Sequence, residues 1–365
     1  MEKAFIPYTF AGLKLPNRFI RSATLERMAA PDGSPLPELK AMYEELARGR
    51  VGLISTGSCT PDRSWVPNST ARLSLDREET LPVWEEVFRA IHRAGSLVSV
   101  QLTPFFLLDG KWVGPFSHAP EIHRLQPEEI ERLVLSYGKA AARARKAGAD
   151  AVQVHAAHGH PLGQFLSPYF NRREDDYGGS SQNRARIFVE IRRAMADKAG
   201  KDFPVWIKMN GVDGFPGGMT IEDAEPYGEI LSRAGYAAIE VSGGTRSPNT
   251  TCAAGGPVRK EDWFEGYFLE QAARLKVHTD LPVAAVGGIR KMEMVERVLS
   301  EGKADLIALC RPLIREPHLV RRWESKDFRP ATCISCNGCR AMMQKGKGLF
   351  CVKERGMGSS DPAAV

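Results

Sequence analysis

Eight short apolar runs, separated by helix-like stretches, constrain the fold of this chain more than any other feature. They are Phe19–Ala23, Val51–Ser55, Leu97–Leu102, Ala151–His155, Val205–Met209, Ala237–Val241, Val283–Val286 and Leu306–Leu309. Several are continuous apolar runs, the pattern of strands covered on both faces. Helical patterns lie between them, as in Pro127–Ala147, Gln182–Ala196 and Ile221–Ala234. Gly148 and Gly235 directly follow two of these, and Gly302 ends another pattern before the last strand, where helix stops belong. The alternation predicts an α/β fold, a (β/α)8 TIM barrel in a single domain. A doubly wound sheet would carry a glycine-rich dinucleotide fingerprint after an early strand. The Gly-Gly pairs at 178–179, 217–218, 243–244, 255–256 and 287–288 never form GxGxxG. Phe5–Pro16 precedes the first strand and is expected to form a hairpin closing the barrel floor. The boundaries read as a barrel over 1–330, a Cys-rich segment over 331–355 packed on it, and a disordered tail over 356–365.

The composition, 43% hydrophobic and 26% charged over 365 residues, is that of a globular protein. The net charge of +6 comes from dispersed Lys and Arg, so nucleic-acid binding is not indicated. A mild positive balance favours anionic cofactors or substrates. No apolar run approaches a membrane span, and Met1–Pro7 lacks the apolar core of a signal peptide, so a cytoplasmic location is expected. A monomer and a homo-oligomer both remain open.

The chemistry concentrates after the fourth strand. His155-Ala-Ala-His158-Gly-His160-Pro161 leaves the C-terminal end of that strand, where barrels carry their catalytic groups. Imidazoles there can donate hydrogen bonds to an oxyanion. The blander reading is a pair of satisfied structural histidines. A metal pair is a third reading, but HxxH lacks the acid and third ligand of familiar zinc motifs.

Further motifs lie at neighbouring strand ends: Asn17-Arg-Phe-Ile-Arg-Ser-Ala-Thr24, Gln164-Phe-Leu-Ser-Pro168, and Asn171-Arg-Arg-x-Asp175-x-Tyr177-Gly-Gly-Ser180. Asn183-Arg184-x-Arg186, Val286-Gly-Gly288 and Arg311-Pro-Leu313 complete the set. In order and spacing these motifs resemble the Old Yellow Enzyme family of FMN-dependent ene-reductases, over about residues 5 to 350. The resemblance implies FMN at the barrel mouth and NAD(P)H as its reductant. Ala23 and Thr24 would touch the flavin ring through their backbone, with Gly57 and Gln101 approaching after the second and third strands. Lys208 would sit near the pyrimidine side, where a cation stabilises anionic reduced flavin; alternatively it is a barrel-end charge paired with an acid. Gly287, Gly288 and Arg311 would hold the phosphate. His155 and His158 would bind the substrate carbonyl oxygen, making the β-carbon accept hydride from flavin.

Three positions depart from the family pattern. His160 stands where relatives have a proton-donating Tyr; it either keeps that role with altered pH dependence or loses it. Leu25 replaces a Thr or Cys beside the flavin. Gln101-Leu-Thr-Pro104 lacks the His that follows Gln by three, and Phe105 and Phe106 come next, as pocket lining or as loop packing.

Cys333-x2-Cys336-x2-Cys339-x11-Cys351 has metal-site spacing. It resembles the iron–sulfur segment of larger relatives, trimethylamine dehydrogenase and 2,4-dienoyl-CoA reductase. A [4Fe-4S] cluster, a zinc ion and reduced thiols are the three readings. The expected function is therefore an NAD(P)H:flavin oxidoreductase of the ene-reductase type, acting on a small-molecule α,β-unsaturated carbonyl compound. The alternative is a flavin dehydrogenase or electron-transfer subunit working with a separate redox partner. A flavin-free barrel lyase or aldolase is a third reading.

Overall fold

The computed structural model describes residues 2–65, 71–108, 111–113, 122–245, 250–253, 256–257 and 264–354. Eight parallel strands close into a barrel: β1 (Phe19–Arg21), β2 (Leu53–Ser55), β3 (Leu97–Leu102), β4 (Ala151–Ala156), β5 (Val205–Asn210), β6 (Ile239–Ser242), β7 (Val283–Val286) and β8 (Leu306–Leu309). β8 pairs with β1 and β3 with β4, so the ring has no open edge. The TIM barrel expected from the alternation is the observed fold.

The surrounding helices are α1 (Pro37–Arg48), α2 (Leu81–Arg93), α3 (Pro127–Lys146), α4 (Ser181–Ala199), α5 (Ile221–Arg233), α6 (Leu269–Val277), α7 (Met292–Ser300) and α8 (Leu319–Glu324). Local chemistry sets their ends. α3 begins with Pro127, and the Gln126 N–H donates to Glu129 Oε2 at 2.8 Å, with Glu128 and Glu129 in the first turn and basic residues in the last. Gly148 and Gly235, at φ +92° and +84°, take the left-handed conformation that turns the chain after α3 and α5.

Side chains alternate between two environments along each strand. Val152, Val154, Ile207, Met209, Ile239 and Val241 point outward into the main core beneath the helices. The inward set changes character with height. Leu53, Ala151, Trp206, Ala238 and Leu306 form a separate apolar cluster inside the barrel, and Phe10, Leu13 and Leu15 complete it. Those three belong to the hairpin Tyr8–Phe10 with Leu13–Leu15, paired Tyr8 to Leu15, so the N-terminal segment plugs the floor as expected. Higher up, the inward positions become Gln153, His155, Lys208, Glu240 and Ser242, all buried and all polar. The expected tail over 356–365 lies outside the described residues.

Leu15 is 1% exposed within the floor cluster. Leu15→Ala should cost about 3 kcal/mol by removing buried methyl groups and leaving a cavity, measured as a shift in the urea unfolding midpoint with unchanged slope.

Candidate active site at the barrel mouth

Polar inward residues leave a cavity of about 760 Å³ open at the C-terminal ends of the strands. His155 ends the inward series of β4, opposite Lys208 of β5 in the strand register. The chain then turns at His158, whose φ of +62° is uncommon for a residue with a side chain. The His158 N–H donates to Asn210 Oδ1 at 3.0 Å, and His158 Nε2 lies 2.7 Å from Ser242 Oγ. His160 precedes the short helix Pro161–Leu166. The His155 ring centroid is 5.3 Å from that of His158 and 4.6 Å from that of His160. All three line the cavity. The Nδ1 atoms of His155 and His160 are buried without a hydrogen-bond partner among the described residues, which a bound polar group would correct.

Burial pushes the imidazoles of His155 and His158 well below the usual histidine range, helped by neighbouring positive charge including Lys208. Burial and then the Arg72 charge push His160 down to about 3. At neutral pH all three are uncharged. His160 therefore faces the cavity as a neutral imidazole rather than an imidazolium.

Beneath the histidines a charged network crosses the barrel. Lys208 Nζ donates to Glu240 Oε1 at 2.9 Å and to Ser22 Oγ at 2.8 Å. Ser22 Oγ donates to Glu240 Oε1 at 2.6 Å, and Gln153 Nε2 to Glu240 Oε2 at 2.8 Å. Gln101 Nε2 donates to Gln153 Oε1 at 2.7 Å. Lys208 thus lines the cavity and is also paired with an acid.

Ala23, Thr24, Leu25, Gln101, Phe105, Gly287, Gly288 and Arg311 line the same cavity. Gly57 does not. A Cβ at Gly57 would lie 1.6 Å from Glu26 Oε2, and its N–H donates to Tyr43 Oη at 2.8 Å. Its glycine serves close packing against a buried lock in which Glu26 Oε1 accepts from Arg21 and Tyr43, both at 2.7 Å. Gly287 and Gly288, at φ +121° and +69°, lie against Tyr267, whose ring a Cβ at either would approach to 2.8 Å. Arg311 donates to Tyr267 Oη at 2.9 Å and to Asn337 Oδ1 at 3.0 Å. Phe106, expected beside Phe105, has its side chain outside the described residues.

The volume is that of a cofactor-sized site. Lys208 below, Arg311 with the two glycines at the β7–β8 side, and the unsatisfied imidazole nitrogens above are a donor set that suits an anionic flavin mononucleotide. Sequence reading missed Glu240, Gln153, Tyr267, Arg27 and Arg72. An acid inside the apolar run Ala237–Val241 was a visible signal for Glu240; Tyr267 had none.

The C-terminal segment forms one wall. Cys333, Asn337, Cys339, Met343 and Leu349 face the main cavity. All four cysteines of the motif surround a second, small cavity of about 20 Å³ beside Arg311 and Arg315. That space holds about one water, and among the described residues no group of three or more His, Cys, Asp or Glu is arranged to hold a metal ion. As arranged, the thiols share one locus but do not fit an ion or a cluster.

The model of the NADH:flavin oxidoreductase / NADH oxidase family matches residues 113–327. The chain belongs to this family. It is 30% identical over 334 residues to an NADPH dehydrogenase of Geobacillus thermodenitrificans, covering 86% of this chain and 91% of that one. It is 32% identical over 341 residues to an NADH oxidase of Thermoanaerobacter brockii, covering 90% of this chain and 52% of that one. The chain spans about half the length of the first curated relatives it matches. An Old Yellow Enzyme homologue from Zymomonas mobilis has the same fold, with a TM-score of 0.72 at 22% identity over 91% of this chain and 96% of that one. The Old Yellow Enzyme resemblance read from the motifs is thereby borne out. The family supports FMN and NAD(P)H as the cofactors. Among the described residues no helix is long and apolar enough to cross a membrane.

Two outcomes follow. Glu240→Leu leaves Lys208 as a buried cation without its carboxylate and should destabilise by about 3–5 kcal/mol, read from thermal or urea unfolding. The depressed histidines also make stability depend on pH. The unfolded chain takes up protons below the ordinary value of 6.5, while folded His160 does so only near 3. Stability should therefore fall as pH drops below about 6.5, by up to about 1.4 kcal/mol per imidazole per pH unit. Urea titrations at pH 7.5 and 5.5 check this, with a shallower loss expected for His160→Phe.

Proposed function

We propose that this barrel mouth reduces the C=C bond of an α,β-unsaturated carbonyl compound, with FMN as the bound cofactor and NAD(P)H binding the same mouth in turn. The observation that carries the reading is the pair His155 and His158, neutral, buried and half-buried respectively and lining the cavity, with His155 Nδ1 lacking a partner among the described residues. Reduced FMN, when bound, supplies hydride to an electrophilic carbon.

The residues of the chain supply the rest. With Ser242 Oγ–H donating to His158 Nε2, the His158 proton sits on Nδ1. His158 through Nδ1–H, and His155 through a ring N–H, then donate to the substrate carbonyl oxygen. That draws electron density from the β-carbon and holds the enolate-like charge that develops. Ala23 and Thr24 present backbone to the ring, Gln101 and Lys208 meet its polar edge, and Gly287, Gly288 and Arg311 receive the phosphate. Neutral His160 leaves the α-carbon proton to solvent. The chain is organised as a barrel over 1–330 with the Cys-rich segment 331–355 as a wall of its site.

Replacing both His155 and His158 by Ala should lower kcat/KM for enone reduction at least 100-fold while FMN remains bound. Unchanged turnover would refute the assignment. His160→Phe should cost less than tenfold in kcat; the 100-fold or greater loss of a general acid would restore that role to it. The shared locus of the four thiols leaves a second reading, a [4Fe-4S] relay to a redox partner. Since the thiols do not fit a cluster as arranged, no step above uses one. Iron and acid-labile sulfide, assayed on protein purified without oxygen, should be absent; stoichiometric amounts would favour the relay.

A further inference from the structure

The motif Gln164-Phe-Leu-Ser-Pro168 carries two polar residues that the chemistry above does not use, and both are buried. Gln164 grips the histidine loop directly: its Nε2 donates to the Gly159 carbonyl at 3.0 Å. Ser167 reaches the same loop through a relay. Its Oγ donates to Asp213 Oδ2 at 2.6 Å, and Asp213 Oδ2 also accepts from the Met219 N–H at 3.0 Å. Asp213 Oδ1 accepts from Asn210 Nδ2 at 3.0 Å, and Asn210 Oδ1 accepts from the His158 N–H at 3.0 Å. The chain of bonds therefore ends on the backbone of His158.

Each link has a single direction. The His158 N–H can only donate, and the Gly244 carbonyl, 3.3 Å from Asn210 Nδ2, can only accept. The Asn210 amide thus has one orientation, with Oδ1 toward His158 and Nδ2 toward Asp213. Asp213 is 2% exposed. Its hydrogen-bond donors among the described residues are a hydroxyl, a backbone N–H and an amide, none of them charged. A buried carboxylate is costly unless its oxygens are bonded, and here those bonds are what fix Asn210. His158 needs such a hold. Its φ of +62° is a conformation that a residue with a side chain keeps only where its surroundings impose it. Asn210 and Ser242 are register partners at the ends of β5 and β6. Asn210 holds the His158 backbone, and Ser242 Oγ, 2.7 Å from Nε2, holds its ring. A donor to an oxyanion contributes most when its position is set before the ligand arrives.

We propose that Asp213 and Asn210 are positioning residues for carbonyl binding. Asp213, anchored by Ser167, locks the Asn210 amide, and Asn210 keeps His158 in the backbone conformation that presents its ring to the substrate oxygen. Neither Asp213 nor Asn210 is among the residues lining the cavity, so both act through His158. This role rests on the reading of His158 given under the proposed function.

The test is a double-mutant cycle on the full-length, FMN-loaded, oxidised protein, with 4-hydroxybenzaldehyde as the probe. The phenolate oxygen of the probe stands in for the substrate oxyanion, and its affinity is read from the flavin absorbance without turnover. Asp213→Asn and Asn210→Ala should each weaken binding about tenfold, with flavin content unchanged. In a His158→Ala background the same substitutions should weaken it less than about twofold, because the residue they act through is gone. The exchange of Asn210→Asp together with Asp213→Asn restores a donor facing an acceptor and should recover part of the affinity. Equal losses in the two backgrounds would overturn the inference, since Asp213 and Asn210 would then be general supports of the fold. Asn210→Ala carries the cycle alone if Asp213→Asn does not fold. If His158→Ala by itself leaves the affinity unchanged, the reading of His158 as a carbonyl ligand fails and takes the inference with it.

Discussion

The carboxylate of Glu240 is the interaction on which the interior of this barrel turns. A fully buried acid is costly unless it is paired and hydrogen-bonded. Here Ser22, Lys208 and Gln153 all donate to it, and Gln101 extends the chain of bonds through Gln153. The participants come from β3, β4, β5 and β6 and from the residue after β1. Below this level the barrel is filled by Trp206, Leu53, Leu306 and the hairpin residues Phe10, Leu13 and Leu15. Above it the interior stops packing and opens. Ser22, Gln101 and Lys208 belong to both the network and the cavity lining, so the floor of the site is also the lid of the core.

A second lock sits on the rim. Arg21, Glu26 and Tyr43 bind one another in a fully buried cluster, and Gly57 has no side chain because the Glu26 carboxylate occupies that space. Arg21 also donates to the Ser55 carbonyl at 2.6 Å, tying the end of β1 to β2. The segment Ala23–Arg27 therefore reaches the cavity as a fixed edge. Leu25 and Arg27, two of its less ordinary residues, owe their positions to a salt bridge that never touches the ligand space.

What the sequence revealed follows from where each signal resides. The barrel was legible because strands covered on both faces read as unbroken apolar runs, and because Gly148 and Gly235 mark helix ends that need positive φ. His155, His158, Lys208 and Arg311 were legible because strand ends place inward residues at the mouth. Gly57 was misread: a glycine after a strand looks the same whether it admits a cofactor or a carboxylate, and the Glu26 contact that decides it is tertiary. The neutrality of His160 was equally invisible, since it comes from burial and from Arg72, far away in the chain. Arg27 and Arg72 read as two of many dispersed basic residues until the fold brought both to the cavity lining.

The wall built by the C-terminal segment changes what counts as the unit that encloses the cavity. Leu349 and Met343 are buried, and with Cys333 and Cys339 they face the same space as His155 and Gly287. The barrel alone is a vessel with one side missing. Modularity, so often assumed for a cysteine-bearing appendage, does not apply: to shorten, graft or chemically modify that segment is to rebuild one wall of the cavity itself.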